Sequence, residues 1–176
     1  MTDFTSLFER LRKTNEATIL PKLVEMGFPA ADCRQELSSP EAATRGIPTL
    51  DPDVWRKPTP VLRARYAYAG SWTNASGGQE WLSLADMAKI PRDKTVMKHI
   101  RSHRDLWNGS APAQFEFDRL SLFALSRANP ESHMYLVWPA KERGEPELWT
   151  YSGQSERKFK DLQAFVESIL TKYENA

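Results

Sequence analysis

Two of the chain's three histidines, His99 and His103, stand four residues apart. On one face of a helix that spacing can chelate zinc. The residues between them, Ile100, Arg101 and Ser102, include no glutamate, so the metalloprotease pattern is absent. Arg101 and Arg104 would also repel a bound cation. The remaining nitrogen and sulfur donors, His133 and Cys33, have no diagnostic spacing, and no metal or other cofactor is expected. Cys33 is the single cysteine and lies in no catalytic signature. No G-x-S-x-G elbow, P-loop or G-x-G-x-x-G turn occurs. The acids Glu145 and Glu147 read as solvation of a loop rather than as a glycosidase pair. Residue chemistry therefore predicts no enzyme.

Binding chemistry is better represented. Lys89, Arg92, Lys94, Lys98, Arg101 and Arg104 stand against only Asp93 and Asp105 in segment 89–104 and its border. On a helix, Lys94, Lys98 and Arg101 share one side. Three readings are open: a solvated face, a surface for an acidic protein, or a track for a phosphate backbone. The chain also has six tryptophans. Trp138 and Trp149 fall in apolar strands and read as core. Trp72 and Trp81 flank a Gly/Asn/Ser stretch, where they are either aromatic anchors for a partner or rings covered by the loop. The candidate partner-binding set is Trp72, Trp81, Lys94, Lys98, Arg101 and Arg104.

These residues must be held by a chain of 176 residues, enough for one domain with a substantial core. Formal charge is only +1, yet residues 55–105 carry ten basic and four acidic side chains, a basic middle between acidic flanks. The first residues lack a secretory pattern and no apolar run reaches membrane-span length, so a soluble cytoplasmic protein is expected, with no membrane partner.

Residues 1–54 read as a helical segment. Phe4, Leu7, Phe8 and Leu11 have helical spacing, with Ser6 and Glu9 placed as a capping box. A second helix spans Leu20 to Val24 and stops at Gly27, and a third starts at Ser39-Pro40-Glu41 and closes at Gly46. Residues 55–176 read as a sheet with an inserted basic helix and a closing helix. Leu62, Ala64, Tyr66 and Tyr68 alternate with Arg63, Arg65 and Ala67, which predicts a half-buried strand. Gly70–Gly78 reads as a loop, Ser83 and Asp86 as a helix cap, and 94–107 as a helix burying Met97, Ile100 and Trp107. Phe115 and Phe117, Leu120–Leu125, Met134–Trp138 and Leu148–Tyr151 read as strands, with a charged loop over 141–146. The last helix is predicted from Phe159 through Phe165, Val166 and Leu170 to Tyr173. The order predicts an α+β fold in one domain: N-terminal helices, a central antiparallel sheet, and a C-terminal amphipathic helix packed on it.

The C-terminal third, with Phe115-Glu-Phe-Asp, Met134-Tyr-Leu-Val-Trp, Glu147-Leu-Trp-Thr-Tyr and the phenylalanine-led stretch after Phe159, resembles the SUKH superfamily. That resemblance implies an α+β fold and a non-enzymatic role. Many bacterial members are immunity proteins that bind and block a cognate toxin, so the implied partner is a protein toxin. The alternative reading is a nucleic-acid-binding module that uses segment 89–104.

Overall fold

The computed structural model describes residues 3–141 and 143–174. Its centre is a seven-stranded antiparallel sheet in the order β1-β4-β5-β6-β7-β8-β9. The strands are β1 (Glu36–Leu37), β4 (Trp72–Ser76), β5 (Gln79–Trp81), β6 (Leu120–Leu125), β7 (His133–Val137), β8 (Glu147–Ser152) and β9 (Ser155–Phe159). A small ribbon pairs β2 (Ile47–Pro48) with β3 (Trp55–Arg56). Helices α1 (Phe4–Thr14), α3 (Pro60–Tyr68) and α7 (Leu162–Glu174) pack together on one face. Helices α5 (Lys94–Leu106) and α6 (Ala111–Gln114) cover the other face, where the Ala111 amide donates to the Tyr151 hydroxyl at 2.7 Å. The expected α+β architecture, with terminal helices and an antiparallel sheet, is present.

The cap of helix α1 lies three residues before the Ser6 cap read from the sequence. Asp3 is the cap, its Oδ1 accepting from the amides of Thr5 and Ser6. Glu9 instead accepts from Arg12 and from the Tyr68 hydroxyl at 2.6 Å. The rod continues through a π turn, Asn15–Ile19, into α2 (Leu20–Glu25). Pro21 explains the wide turn: its ring would collide with the carbonyl four residues back in a regular helix. The turn leaves Asn15 fully buried, its Nδ2 donating to the Ala75 carbonyl at 2.9 Å and to Gln35 Oε1 at 3.0 Å.

Four local expectations are corrected. No helix spans 39–46; that stretch starts beside the link from α3 to β4, with the Gly70 amide donating to the Ser39 carbonyl at 3.0 Å and the Glu41 amide to the Tyr66 carbonyl at 2.9 Å. A Cβ at Gly70 would come within 2.6 Å of Ser38 Oγ, so glycine permits this approach. The half-buried strand at 62–68 is helix α3. Its buried residues Val61, Leu62, Arg65 and Tyr66 repeat at helical spacing, and Thr59-Pro60 starts it. The alternation was coincidental, because Arg65 on its supposed polar face is fully buried. The loop at 70–78 is the hairpin β4–β5, turned by Gly77 and Gly78 at φ +55° and +79°. Phe159 ends β9 rather than opening the last helix, because Gly153 at φ +56° makes a two-residue turn and pairs Leu148 with Phe159. Helix α7 begins at Leu162, where Asp161 Oδ1 accepts from the Ala164 amide at 2.8 Å.

Elsewhere the expected elements stand with small shifts. The strand expected from Phe115 and Phe117 is absent: Phe115 is the C-cap of α6, and Phe117 lies in a 3₁₀ turn (Phe117–Arg119). Ser83 caps α4 (Leu84–Lys89) as read. Residues 1–54 are not set apart from the sheet, since β1 pairs with β4 and β2 with β3. The expected loop over 141–146 includes Glu142, which lies outside the described residues.

Candidate functional site

Helix α5 carries the basic residues read from the sequence. Asp93 caps it, accepting from the amides of Thr95 at 2.9 Å and Val96 at 3.0 Å. Met97 and Ile100 are buried, which anchors the helix on the sheet layer. Lys94, Lys98 and Arg101 are exposed along the outer side, and among the described residues no carboxylate pairs with them. Arg104 is separated from that row. Its guanidinium lies over the Phe117 ring at 5.3 Å and reaches Glu116 at 3.8 Å. The helix ends at Leu106, which is 87% exposed.

Beside this end lies a cleft of about 580 Å³. His99, His103, Trp107, Glu131, His133 and Gln154 contribute to its lining, so all three histidines of the chain meet there. His103 is half-buried, edge-on to Tyr151 at 4.5 Å and 5.1 Å from the Trp107 ring. Burial lowers its pKa, opposed by the charge of Glu156. His133, at the start of β7, is 4% exposed. Burial above all, then the nearby His103 and His99, lowers its pKa to about 4. Its Nδ1 is 3.2 Å from the Tyr135 hydroxyl. The Tyr151 hydroxyl donates to Glu156 Oε2 at 2.8 Å while accepting from Ala111. Among the described residues no group of three His, Cys, Asp or Glu side chains is arranged to hold a metal ion.

Trp72 and Trp81, read as candidate loop anchors, are fully buried. They face each other across the β4–β5 hairpin with ring centroids 5.4 Å apart. Trp81 is the hub of the core, near Phe123 at 5.0 Å, Phe8 at 6.4 Å and Phe165 at 6.4 Å. Neither ring is available to a partner, because the glycines between them turn a hairpin whose strands belong to the sheet. Arg65 is enclosed with them, its charge over the rings of Tyr66 at 5.0 Å and Trp81 at 5.3 Å. It donates to the carbonyls of Ala69 and Gly70, ending α3, and burial lowers its pKa to about 10.

The structure thus brings Lys94, Lys98 and Arg101 together, turns Arg104 aside, and removes Trp72 and Trp81 from the surface. Leu106 and His133 were not singled out from the sequence. For Leu106 a signal existed: it falls outside the row Met97, Ile100 and Trp107 that faces inward. No signal joined His133 to the other histidines, because sheet register alone places it there. Cys33 is buried and unpaired. Among the described residues no helix is long and apolar enough to cross a membrane. No family model matches the chain, and no curated protein and no solved structure matches it.

Proposed function

We propose that the protein is a non-enzymatic immunity-type protein, which binds an acidic protein toxin through helix α5 and neutralises it by occlusion. The observation that carries the reading is the outer side of α5. Three exposed cations, without carboxylate partners among the described residues, lead to an apolar side chain, Leu106, at the rim of an aromatic cleft. Complementary charge speeds the approach of an acidic partner, and a buried apolar contact slows its departure. The SUKH-like C-terminal sequence supports the same role. The cytoplasm, where a cell guards itself against such a toxin, is the proposed location. Nucleic acid is the less favoured occupant, because Arg104 is drawn aside to Phe117 and Glu116 and the cationic row ends at the exposed apolar Leu106, which leaves only three cations to follow a phosphate backbone.

The test is co-expression with the protein encoded by the adjacent gene of the source genome. The parent should restore growth arrested by that protein. The triple variant Lys94→Glu, Lys98→Glu, Arg101→Glu should not, while its unfolding stays within about 0.5 kcal/mol of the parent, since exposed charges stabilise little. Equal rescue by the triple variant removes α5 as the interface. A log-linear loss of affinity with salt for single-stranded or duplex nucleic acid, with no rescue by the parent, would overturn the reading.

A further inference from the structure

At the opposite end of the strands from the histidine cleft, a second concavity of about 420 Å³ opens between residues 55–63 and residues 138–141 with 143–144. We propose that this concavity is a separate binding site for a small ligand bearing clustered phosphate charge, of the size of a nucleoside diphosphate. It is independent of the α5 surface.

The lining carries five basic side chains, Arg56, Lys57, Arg63, Lys141 and Arg143. Arg56 is committed to the wall: it donates twice to the Asp118 carbonyl, at 3.0 and 2.8 Å, and reaches Asp118 Oδ2 at 3.4 Å. The other four are exposed, and among the described residues no carboxylate pairs with any of them. Like charges gathered round one hollow repel each other and raise the local concentration of anions. A single carboxylate would leave most of that charge unmatched, whereas a diphosphate brings several charges and acceptor oxygens into a small volume. Two of the four free cations are arginines, whose planar forks match phosphate oxygens.

The walls are built rather than loose. Glu145 bridges them, accepting from the Thr59 hydroxyl and from the Val61 amide at 3.4 Å. That carboxylate serves the helix start, and among the described residues it forms no ion pair with the cations. Trp138 is held by its amide to the Arg119 carbonyl at 2.9 Å and by Nε1 to Ser121 Oγ at 2.8 Å. Pro58, Pro60 and Pro139 stiffen the rim. Half-buried Trp55 adds ring surface, and Arg45 lies over that ring at 4.2 Å as a sixth nearby cation. A stiff concavity loses little freedom on binding, and its volume falls in the range of small-molecule sites.

The probes are inorganic pyrophosphate, adenosine 5′-diphosphate, adenosine and citrate, each titrated calorimetrically at low salt without divalent cations. Pyrophosphate and the diphosphate should bind at a stoichiometry near one with dissociation constants on the order of 10–100 µM. Adenosine should not bind, and citrate should bind at least about tenfold more weakly. The double variant Arg63→Glu, Lys141→Glu should weaken pyrophosphate binding at least about tenfold while its circular dichroism and unfolding midpoint stay at parent values. The control Lys98→Glu on α5 should bind as the parent does. No heat from either phosphate probe at millimolar concentration would overturn the proposal. So would equal binding of citrate, full binding by the double variant, or binding of a single-stranded oligonucleotide with neither small phosphate. None of these outcomes depends on toxin rescue, so the two readings fail separately.

Discussion

Replacing His133 by asparagine should remove a component of acid sensitivity that the buried ring imposes. In an unfolded chain the imidazole takes up its proton near pH 6.5, and in the folded protein only near pH 4. Above pH 6.5 both states hold it neutral, and the group is indifferent. As pH falls through 6.5, the unfolded chain gains a proton that the folded state refuses, so stability drops. The loss grows until pH passes below about 4, where both states are protonated. The full difference of about 2.5 pK units corresponds to about 3 kcal/mol, of which about 2 kcal/mol is lost by pH 5. Asparagine keeps a polar atom near the Tyr135 hydroxyl, which bonds Nδ1 at 3.2 Å, but cannot titrate. The assay is urea unfolding of parent and His133→Asn at pH 8, 7, 6 and 5. The stability of the parent relative to the variant should fall by about 2 kcal/mol from pH 8 to pH 5. Taking the difference cancels the carboxylates and the two other histidines, His99 and His103, common to both. Parallel pH profiles would refute the reasoning, since they would mean that His133 protonates as easily folded as unfolded.

Two further substitutions probe the core and the hairpin. Phe165→Ala empties a site 7% exposed between Phe159 at 5.1 Å and Trp81 at 6.4 Å, and should cost about 3–5 kcal/mol in chemical denaturation. A loss below about 1 kcal/mol would place that ring outside the core. Asn74 holds φ +54° in β4 and donates to the carbonyls of Asp32 at 2.8 Å and Arg34 at 2.7 Å. Asn74→Ala should therefore destabilise by about 2 kcal/mol, and Asn74→Gly by about 1 kcal/mol less, because glycine accepts the left-handed backbone. Equal losses in the two variants would show that the side-chain bonds alone matter.

The parts of the fold legible in the sequence are those where one period prevails. Helix α1, helix α5 and strands β6, β7 and β8 each carry a stripe or a run that only one backbone geometry buries. Misreading came where two periods fit the same letters. Leu62, Ala64, Tyr66 and Tyr68 alternate, but Val61, Leu62, Arg65 and Tyr66 also repeat helically, and burying Arg65 against three rings decides the matter. It also came where two glycines together mark either a loop or a tight turn. The cross-strand pairing of Trp72 with Trp81 makes Gly77 and Gly78 a turn, and that pairing is not encoded locally. The basic row of α5 was legible from spacing. The inward turn of Arg104 was not, because Phe117 and Glu116 reach it from a different part of the chain. The cationic hollow that joins residues 55–63 to Trp138, Lys141 and Arg143 was missed for the same reason: its walls lie about eighty residues apart.

The two edges of the sheet bear on how the protein behaves in a crowd of its own copies. At one edge β1 offers two residues, and Ser38–Glu41 run on past it beside Ser71, Gly70 and the end of α3. At the other, β9 presents Glu156, Arg157 and Lys158, with Lys158 over the Trp149 ring at 3.9 Å and Arg157 over Phe159 at 4.9 Å. A second copy thus finds either too short a ladder or a row of charges that it would have to strip of water. Chain-to-chain zippering through strand addition is disfavoured at both ends. Concentrated protein is guarded against fibre growth by residues that lie outside the α5 surface and outside the cationic hollow. Either surface can therefore change its specificity by substitution without removing that guard.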